Sequence, residues 1–241
     1  MRVLLIADVH ANWEALLALQ RAERKPDAVL FAGDAVGYGP DPANCLRWLL
    51  HNTTAAVRGN HDDALHRNDG EGVCGGVPTE LAQAARETLV FSHRSLSGGE
   101  IMSLGNWPLT ASAALGGANF FVVHGTPANP LRGDLNPATC PESELRLLFD
   151  DLTADVIVTG HTHVPAIRQF GGRVLLNPGS VGQPRYGTPD ATYAVWEDGA
   201  IQIKHLHYPH DLTANKLRLA PLSAETAEQL TQVLETGLAT L

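Results

Sequence analysis

Five continuous apolar runs divide this chain into regular segments. Each run is four or five residues long and rich in small or branched side chains; the runs occupy 3–7, 28–32, 54–57, 119–123 and 155–159. Runs of this kind are typical of strands that are buried on both faces of a sheet. Segments 12–19 and 42–51, which separate the first three runs, place apolar residues at helical spacing and predict helices.

The later part of the chain has a different pattern. The spacing predicts helices at 79–95, 141–151 and 224–238, and a glycine-rich loop at 69–78. Short strand patterns with no helical period between them follow the last of the five runs, and they occupy 165–170, 173–176, 191–196 and 200–207. The chain therefore changes from alternating strands and helices to mostly antiparallel strands. With no linker or repeat in sight, we expect a single α/β domain that spans 1–241.

Composition narrows the classes of function. The 241 residues are 44% hydrophobic and 18% charged, which is enough to bury a sizeable core. The net charge of −9 argues against a dedicated nucleic-acid binder but not against a small phosphate ester as ligand. The three cysteines show no CxxC spacing, so neither a disulfide framework nor a zinc ribbon is indicated. Asp8 and His10 interrupt the first apolar run, so we expect a cytoplasmic protein with no membrane association.

Polar residues of the kinds that bind metals follow each of the five apolar runs. Because the carboxyl ends of parallel strands form the edge of a sheet where ligands bind, these side chains can meet. In chain order they are Asp8 and His10, then Asp34, Asn60 and His61, His124, and finally His161 and His163. A single histidine at a strand end is usually a structural residue. Five such strand ends together indicate a metal site.

The order of these motifs resembles that of the calcineurin-like metallophosphoesterases, in which D-x-H, G-D, G-N-H-[DE], a lone H and G-H-x-H follow one another. The resemblance runs from Asp8 to His163 and on to 177–180. The amino-acid sequences of segments 33–40 and 177–185 are similar to those of the small bacterial YfcE-type phosphodiesterases. The resemblance implies a four-layer αββα sandwich of two mixed β-sheets flanked by helices.

The same resemblance implies a dinuclear metal site. By analogy Asp34 bridges two divalent transition metals; the first is completed by Asp8, His10 and His163, and the second by Asn60, His124 and His161. Two such cations can hold a hydroxide between them and clamp the phosphoryl oxygens of an ester. Mixed imidazole and carboxylate ligands suit manganese, iron, zinc or nickel better than magnesium or calcium. We expect manganese, with the other three metals as alternatives.

Five further residues are candidates for catalysis or substrate binding. By resemblance His61 faces the substrate, as a proton donor or as a phosphate ligand. Asp62 either orients His61 or caps a turn, and Arg58 either binds phosphate or forms a surface salt bridge. Tyr38 and Arg185 either line the substrate pocket or belong to ordinary turns.

The expected activity is hydrolysis of small phosphodiesters. Where protein Ser/Thr phosphatases of this superfamily carry an aspartate and an arginine, this chain has Gly37 and Tyr38, which makes phosphoprotein substrates less favoured. A phosphomonoesterase or dinucleoside polyphosphate hydrolase is the first alternative, and a non-catalytic binding scaffold of the same fold is the second. We expect the loop Gly70–Gly76 to contribute to substrate specificity.

Overall fold

A computed structural model describes residues 1–23, 25–74 and 78–239, and within them two five-stranded sheets. The strands are β1 (Arg2–Ile6), β2 (Ala28–Phe31), β3 (Ala55–Ala56), β4 (Thr110–Leu115), β5 (Ala118–Val123), β6 (Val156–Val158), β7 (Ala166–Phe170), β8 (Arg173–Asn177), β9 (Ala191–Glu197) and β10 (Ala200–Leu206). The strand order is β10-β9-β1-β2-β3 in the first sheet and β4-β5-β6-β8-β7 in the second.

Helices cover the outer faces of both sheets. They are α1 (Trp13–Ala22), α2 (Pro42–Asn52), α3 (Asn60–Arg67), α4 (Ala82–Ser95), α5 (Gly98–Leu104), α6 (Glu142–Phe149), α7 (His210–Leu219) and α8 (Ala224–Thr236). Two short 3-10 turns lie at Gly72–Cys74 and Thr79–Leu81. Positions 75–77, the first two of which belong to the loop Gly70–Gly76 that we expect to contribute to specificity, are outside the described residues. None of the described helices has the length and apolar character needed to cross a lipid bilayer.

Each sheet is mixed, and the predicted sandwich of two mixed sheets is confirmed. In the first sheet β1, β2 and β3 run parallel, whereas β9 runs antiparallel to β1 and to β10. In the second sheet β5, β6 and β8 run parallel, while β4 and β7 pair antiparallel at the two edges. The predicted antiparallel character of the later strands thus holds for β7, β9 and β10, and β8 departs from it by pairing parallel with β6.

The alternation of side chains along β1 explains why its apolar run is continuous. Val3 and Leu5 pack in a core between the two sheets, against residues such as Phe120 of β5. Leu4 and Ile6 point the other way, into the core between the first sheet and its helices. Because both faces of the strand are covered from Val3 to Ile6, no position in this stretch favours a polar side chain.

Three helices, α3, α5 and α7, are not among those that the sequence pattern predicts. Helix α3 has a polar sequence, NHDDALHR, so it lacks the apolar stripe by which helices are recognised. Helix α5 is only seven residues long and begins with two glycines, although Ser97 and Glu100 form a capping box that marks its start. Helix α7 differs from α3 because it carries a buried stripe, formed by Thr213, Ala214 and Leu217, which the prediction from the sequence missed.

A buried carboxylate fastens the end of α1 to the first sheet. Glu23, which is 8% exposed, accepts hydrogen bonds from Arg2 of β1, Tyr193 of β9 and Lys204 of β10. Burial alone would raise the pKa of Glu23, but the hydrogen bonds from Lys204, Arg2 and Tyr193 outweigh it and hold the pKa below its ordinary value. The ionised form therefore stabilises the fold.

Glu23→Gln is expected to lower the free energy of unfolding at pH 7 by about 1–3 kcal/mol, because three hydrogen bonds lose a charged acceptor. A carboxylate with a lowered pKa contributes stability above its ordinary pKa of 4.5 and loses that contribution as the pH falls below it. Urea unfolding at pH 7 and at about pH 3.5 should therefore show a difference that shrinks in acid. Glu197→Gln is the matched control, since Glu197 also pairs with Arg2 but is exposed. An equal effect of both variants at pH 7 would contradict this account.

Candidate metal centre

The loops after the parallel strands have an unusual backbone. Left-handed φ values cost free energy for any residue other than glycine, and such strain concentrates at functional sites. Among the described residues ten non-glycine positions have positive φ, and half of them are predicted metal ligands. These are Asp8 (φ 52°), His10 (44°), Asp34 (62°), His161 (71°) and His163 (61°). The surrounding sheet ends hold the backbone in a form that turns these side chains toward one another.

One cluster of donors forms between the ends of β1 and β6. The Nε2 atoms of His10 and His163 are 3.1 Å apart. Oδ1 of Asp8 is 3.6 Å from Nε2 of His163, and Oδ2 of Asp34 is 3.6 Å from Nε2 of His10. We call Asp8, His10, His163 and Asp34 the first cluster. All four side chains are buried.

A second cluster forms on the other side of Asp34. Oδ1 of Asn60 lies 3.0 Å from Nε2 of His124 and 3.2 Å from Nδ1 of His161. Nε2 of His124 is 3.4 Å from Oδ2 of Asp34. We call Asp34, Asn60, His124 and His161 the second cluster. The structure thus brings all seven predicted ligands close together, and Asp8 also lies 3.9 Å from His124 of the second cluster.

Asp34 belongs to both clusters through a single oxygen. Its Oδ1 accepts a hydrogen bond from the backbone N–H of His61 at 2.9 Å, which fixes the carboxylate plane. Its Oδ2 faces His10 in the first cluster and His124 in the second. Gly59 permits this arrangement, because a Cβ atom at that position would lie only 2.0 Å from Oδ1 of Asp34.

The hydrogen bonds of three histidines direct their lone pairs into the site. Nδ1 of His10 lies 2.9 Å from the carbonyl oxygen of Val36, and Nδ1 of His163 lies 2.6 Å from that of Gln183. Nδ1 of His124 contacts the carbonyl of Ala32 in the same way at 2.8 Å. A carbonyl only accepts, so each Nδ1 carries a proton, and each ring in its neutral form presents a lone pair at Nε2. Facing lone pairs repel one another unless a cation lies between them, and the donor set therefore fits a divalent metal.

Burial is the largest influence on the pKa values of the site residues. It lowers the pKa of His161 to about 3 and holds the pKa values of His10 and His163 well below the ordinary range. Burial also acts to lower the pKa of His124, but the negative charge of Asp34 outweighs it and raises that pKa to about 9. The pKa of Asp8 rises to about 8, mainly through burial. Since metal ligands must be deprotonated, a cation bound here would displace the protons of Asp8 and His124.

A narrow pocket lies over the two clusters, and three further site candidates, Tyr38, His61 and Arg185, lie close together on its wall. The rings of Tyr38 and His61 are 4.6 Å apart between centroids, and His61 also meets the ring of His10 edge-on at 4.9 Å. Arg185 lies over Tyr38, with its Cζ 5.5 Å from the ring centroid. The pocket is lined by Asp34, Tyr38, Asn60, His61, His161, His163 and Arg185.

His61 also lies near donors of the first cluster. One ring nitrogen of His61 lies within 4.8 Å of a ring nitrogen of His10 and of a carboxylate oxygen of Asp34, so geometry alone allows it to approach a metal. Its Nδ1 is buried and has no hydrogen-bond partner within the described part of the chain. Gly37 leaves room for this ring, because a Cβ atom there would lie 2.3 Å from Nδ1 of His61.

Asp62 contacts backbone rather than the ring of His61. Its carboxylate accepts from the N–H of Gly59 at 3.1 Å, which closes the first turn of α3. It also accepts from the N–H groups of Asp34 and Ala35 at 2.9 Å and of Val36 at 3.3 Å. One side chain therefore joins the start of α3 to the loop that carries Asp34.

Asp62→Ala is expected to lower the free energy of unfolding by about 2–4 kcal/mol, because buried backbone donors lose their acceptor. Thermal unfolding of the metal-free protein measures this. Asp63→Ala is the control, since the neighbouring carboxylate of Asp63 pairs with Arg58 and Arg67 and does not hold the loop. An unchanged melting temperature together with lost turnover would instead favour a role of Asp62 in orienting His61.

Arg58 lies away from the pocket. Its Nε is 3.1 Å from Oδ1 of Asp63, and its Nη1 donates to the carbonyl of Gly105 at 3.2 Å. The guanidinium thus joins α3 to the end of α5. This geometry matches the salt-bridge alternative more closely than direct contact with a phosphate.

Three residues that the sequence motifs do not assign brace the ligand loops. Asn177 forms a turn, because its Oδ1 accepts from the N–H of Gly179. Its Nδ2 donates to the carbonyl of Gly160, the residue before His161. Ser180 donates its hydroxyl to the carbonyl of Asp8 at 2.7 Å. Gln183 supplies the carbonyl that holds His163. The run of turn residues at 177–180 was a signal of the turn but not of these cross-links.

Comparisons with known proteins agree with this geometry. The protein MJ0912 of Methanocaldococcus jannaschii is 26% identical over 230 residues, covering 87% of this chain and 88% of that protein. The crystal structure of a metallophosphoesterase from Sphaerobacter thermophilus superposes with a TM-score of 0.81 at 28% identity, covering 99% of this chain and 100% of that one. Phosphodiesterase YfcE of Escherichia coli K12 is 41% identical over 49 residues, which cover 20% of this chain and 26% of that protein.

The likeness to YfcE is therefore local, whereas the other two relatives match along most of the chain. The family described as the calcineurin-like phosphoesterase superfamily domain matches residues 1–198, which include every strand end that carries a candidate ligand. The resemblance seen in the motifs is thus confirmed, and the chain belongs to the calcineurin-like phosphoesterase superfamily.

Proposed function

We propose that this protein hydrolyses small phosphodiesters with two divalent metal ions. The observation that carries the proposal is the position of Asp34, whose Oδ2 faces His10 on one side and His124 on the other. A carboxylate oxygen shared by two donor clusters is the arrangement that a pair of bridged cations requires. The first cluster would hold one cation and the second cluster the other.

Imidazole, carboxylate and amide donors favour a transition metal, and we propose manganese, with iron, zinc or nickel as alternatives. When bound, the two cations would supply a nucleophile at neutral pH and neutralise charge on the phosphoryl oxygens. The protein fixes the donors before binding. His10, His124 and His163 each have their tautomer set by a backbone carbonyl, so no rearrangement of these rings is needed.

Arg185 is the cation that we assign to the phosphate. Among the described residues no carboxylate lies within 4.0 Å of its guanidinium, although it lines the pocket over the metal clusters. A partly buried guanidinium without a carboxylate partner attracts an anion, and its planar donors match phosphate oxygens. Tyr38 supports the guanidinium from beneath through its ring face.

His61 is the residue that we assign to the leaving group or to a phosphoryl oxygen. Burial lowers its pKa to about 4, so the ring is neutral in the free protein at pH 7. The negative charge of a bound ester favours the protonated ring and would raise its pKa toward neutrality. The protonated ring could then donate the hydrogen of Nδ1 or of Nε2 to the departing oxygen.

Comparison of substrate classes with the metal-loaded protein tests the proposal. We expect bis-p-nitrophenyl phosphate to be hydrolysed with a higher kcat/KM than p-nitrophenyl phosphate or diadenosine tetraphosphate. Preference for either of the latter two would identify a phosphomonoesterase or a dinucleoside polyphosphate hydrolase instead. Protein whose metal content is verified but which hydrolyses none of them would be a binding scaffold.

We further propose that the chain acts as one domain. Lys216 of α7 contacts Glu14 of α1 and Asp41 before α2, each at 2.7 Å. Thr213 donates to Asn12, the N-cap of α1, which also donates to Tyr208. These contacts attach the C-terminal helices, which extend beyond the matched family segment, to the loop that contains His10.

A further inference from the structure

We propose that Gln183 is a positioning residue, which holds Arg185 over the metal clusters while its own backbone orients His163. The inference rests on the proposed function in that it assigns Arg185 to a phosphate. The five metal-ligand motifs do not include Gln183, and the resemblance of segment 177–185 to the YfcE-type phosphodiesterases assigns it no role. Its position on the loop between β8 and β9 lets it contact a metal-cluster residue and the anion-binding residue at once.

The backbone of Gln183 is fixed on both sides. Its N–H donates to the hydroxyl of Ser180 at 2.7 Å, and that hydroxyl in turn donates to the carbonyl of Asp8 at 2.7 Å. Its carbonyl accepts from Nδ1 of His163 at 2.6 Å. The N–H of Gly182 adds a bond to the carbonyl of Asp8 at 3.0 Å. Gln183 therefore keeps a constant position relative to the first cluster.

The side chain of Gln183 also fixes the position of Arg185. Its Oε1 accepts from Nη2 of Arg185 at 2.5 Å and from Nε at 3.2 Å. A guanidinium only donates, so the amide oxygen must be the atom that faces it. Gln183 is 2% exposed, and water does not compete for this contact. Two hydrogen bonds to one oxygen, together with the ring of Tyr38, define where the guanidinium lies.

The chemistry of glutamine is suited to this task. A neutral amide can fix the guanidinium without cancelling its positive charge, which remains available for an anion in the pocket. A glutamate at the same place would fix it equally well but would form an ion pair and add a negative charge beside the clusters. Among the described residues no carboxylate lies within 4.0 Å of the Arg185 guanidinium, which is consistent with this distinction. Preorganisation of this kind increases affinity because less side-chain freedom is lost on binding.

Binding of inorganic phosphate to manganese-loaded protein, measured by isothermal titration calorimetry, tests the inference without turnover. Gln183→Leu removes the acceptor but keeps the backbone carbonyl, so we expect unchanged metal content and about ten-fold weaker phosphate binding. Arg185→Ala should weaken binding further. Because Gln183 acts through Arg185, the double variant should match Arg185→Ala within about two-fold. Gln169→Leu, at an exposed glutamine on β7, is the control and should bind phosphate as the wild type does.

Gln183→Glu provides a second measurement that does not depend on the leucine variant being stable, since it preserves the size and the acceptor. We expect about ten-fold weaker phosphate binding here as well, because the ion pair cancels the charge of Arg185. Phosphate affinity equal to wild type in either variant, additive effects in the double variant, or a wild type that binds no phosphate would overturn the inference. Hydrolysis by the wild type is scored separately, so its absence with a coupled phosphate effect would reject only the proposed activity.

Discussion

Asp34→Asn is expected to reduce kcat/KM for bis-p-nitrophenyl phosphate by at least about a thousand-fold and to lower the bound metal content. The amide keeps an oxygen that can accept from the N–H of His61, so the local backbone is retained. Its NH2 group, however, would replace Oδ2 and point hydrogens at His10 and His124, where donors of electron pairs are needed. One atom exchanged in this way disables both clusters.

The change should also lower the stability of the metal-free protein. Asp34 lies 3.4 Å from His124 and raises the pKa of that ring to about 9, so a neutral amide would leave buried His124 without its counter-charge. Metal content by elemental analysis, thermal unfolding of the metal-free protein and kinetics separate the two effects. Asp155→Asn is the matched control, since Asp155 is exposed at the opposite end of β6 from His161. Full metal content in Asp34→Asn would contradict the bridging role.

The positions of the candidate ligands could be predicted because each follows a strand whose apolar run is readable. Both faces of β1 and β2 are buried, so the sequence must become polar where the strand ends, and Asp8 and Asp34 mark those points. Three parallel strands of the first sheet (β1, β2 and β3) and two of the second (β5 and β6) then bring their ends together at the site. Physical pattern and family resemblance led to the same residues here.

Other features could not be predicted because they arise only when the loops meet. Helix α3 is polar in sequence, yet Asn60 to Asp63 are buried, since they pack against the clusters rather than against an apolar core. The contact of Gln183 with both His163 and Arg185 depends on a loop more than a hundred residues away from the first ligand in sequence. Such cross-links have no periodicity, so no window of sequence displays them.

The left-handed residues of the site connect stability with function. Asp8, His10 and Asp34 have φ values that cost free energy, and the hydrogen bonds that compensate come from Asp62 and from Ser180. These bracing residues need no contact with substrate to matter for activity. Their loss would release the strained loops, and the donor clusters would lose their geometry before the cores of the two sheets were affected.

Adjacent residues of the G-N-H motif are expected to give different phenotypes. Asn60→Ala removes an oxygen that lies 3.0 Å from His124 and 3.2 Å from His161, so it should lower the metal content of the second cluster. His61→Ala should retain both metals and reduce kcat by about 10²–10⁴, the usual contribution of an acid or base in proton transfer. Elemental analysis and kinetics on the same preparations distinguish the two results.

A more reactive leaving group sharpens the test of His61. If His61 donates a proton to the departing oxygen, the loss in His61→Ala should be larger for methyl phenyl phosphate, whose phenolate is the poorer leaving group and needs a proton, than for methyl p-nitrophenyl phosphate, whose p-nitrophenolate departs without one. An equal loss for both would indicate that His61 binds the phosphate instead. Because His61 also lies within reach of His10 and Asp34, loss of metal in His61→Ala to the same extent as in Asn60→Ala would show that it is a ligand and would exclude the proton-donor role.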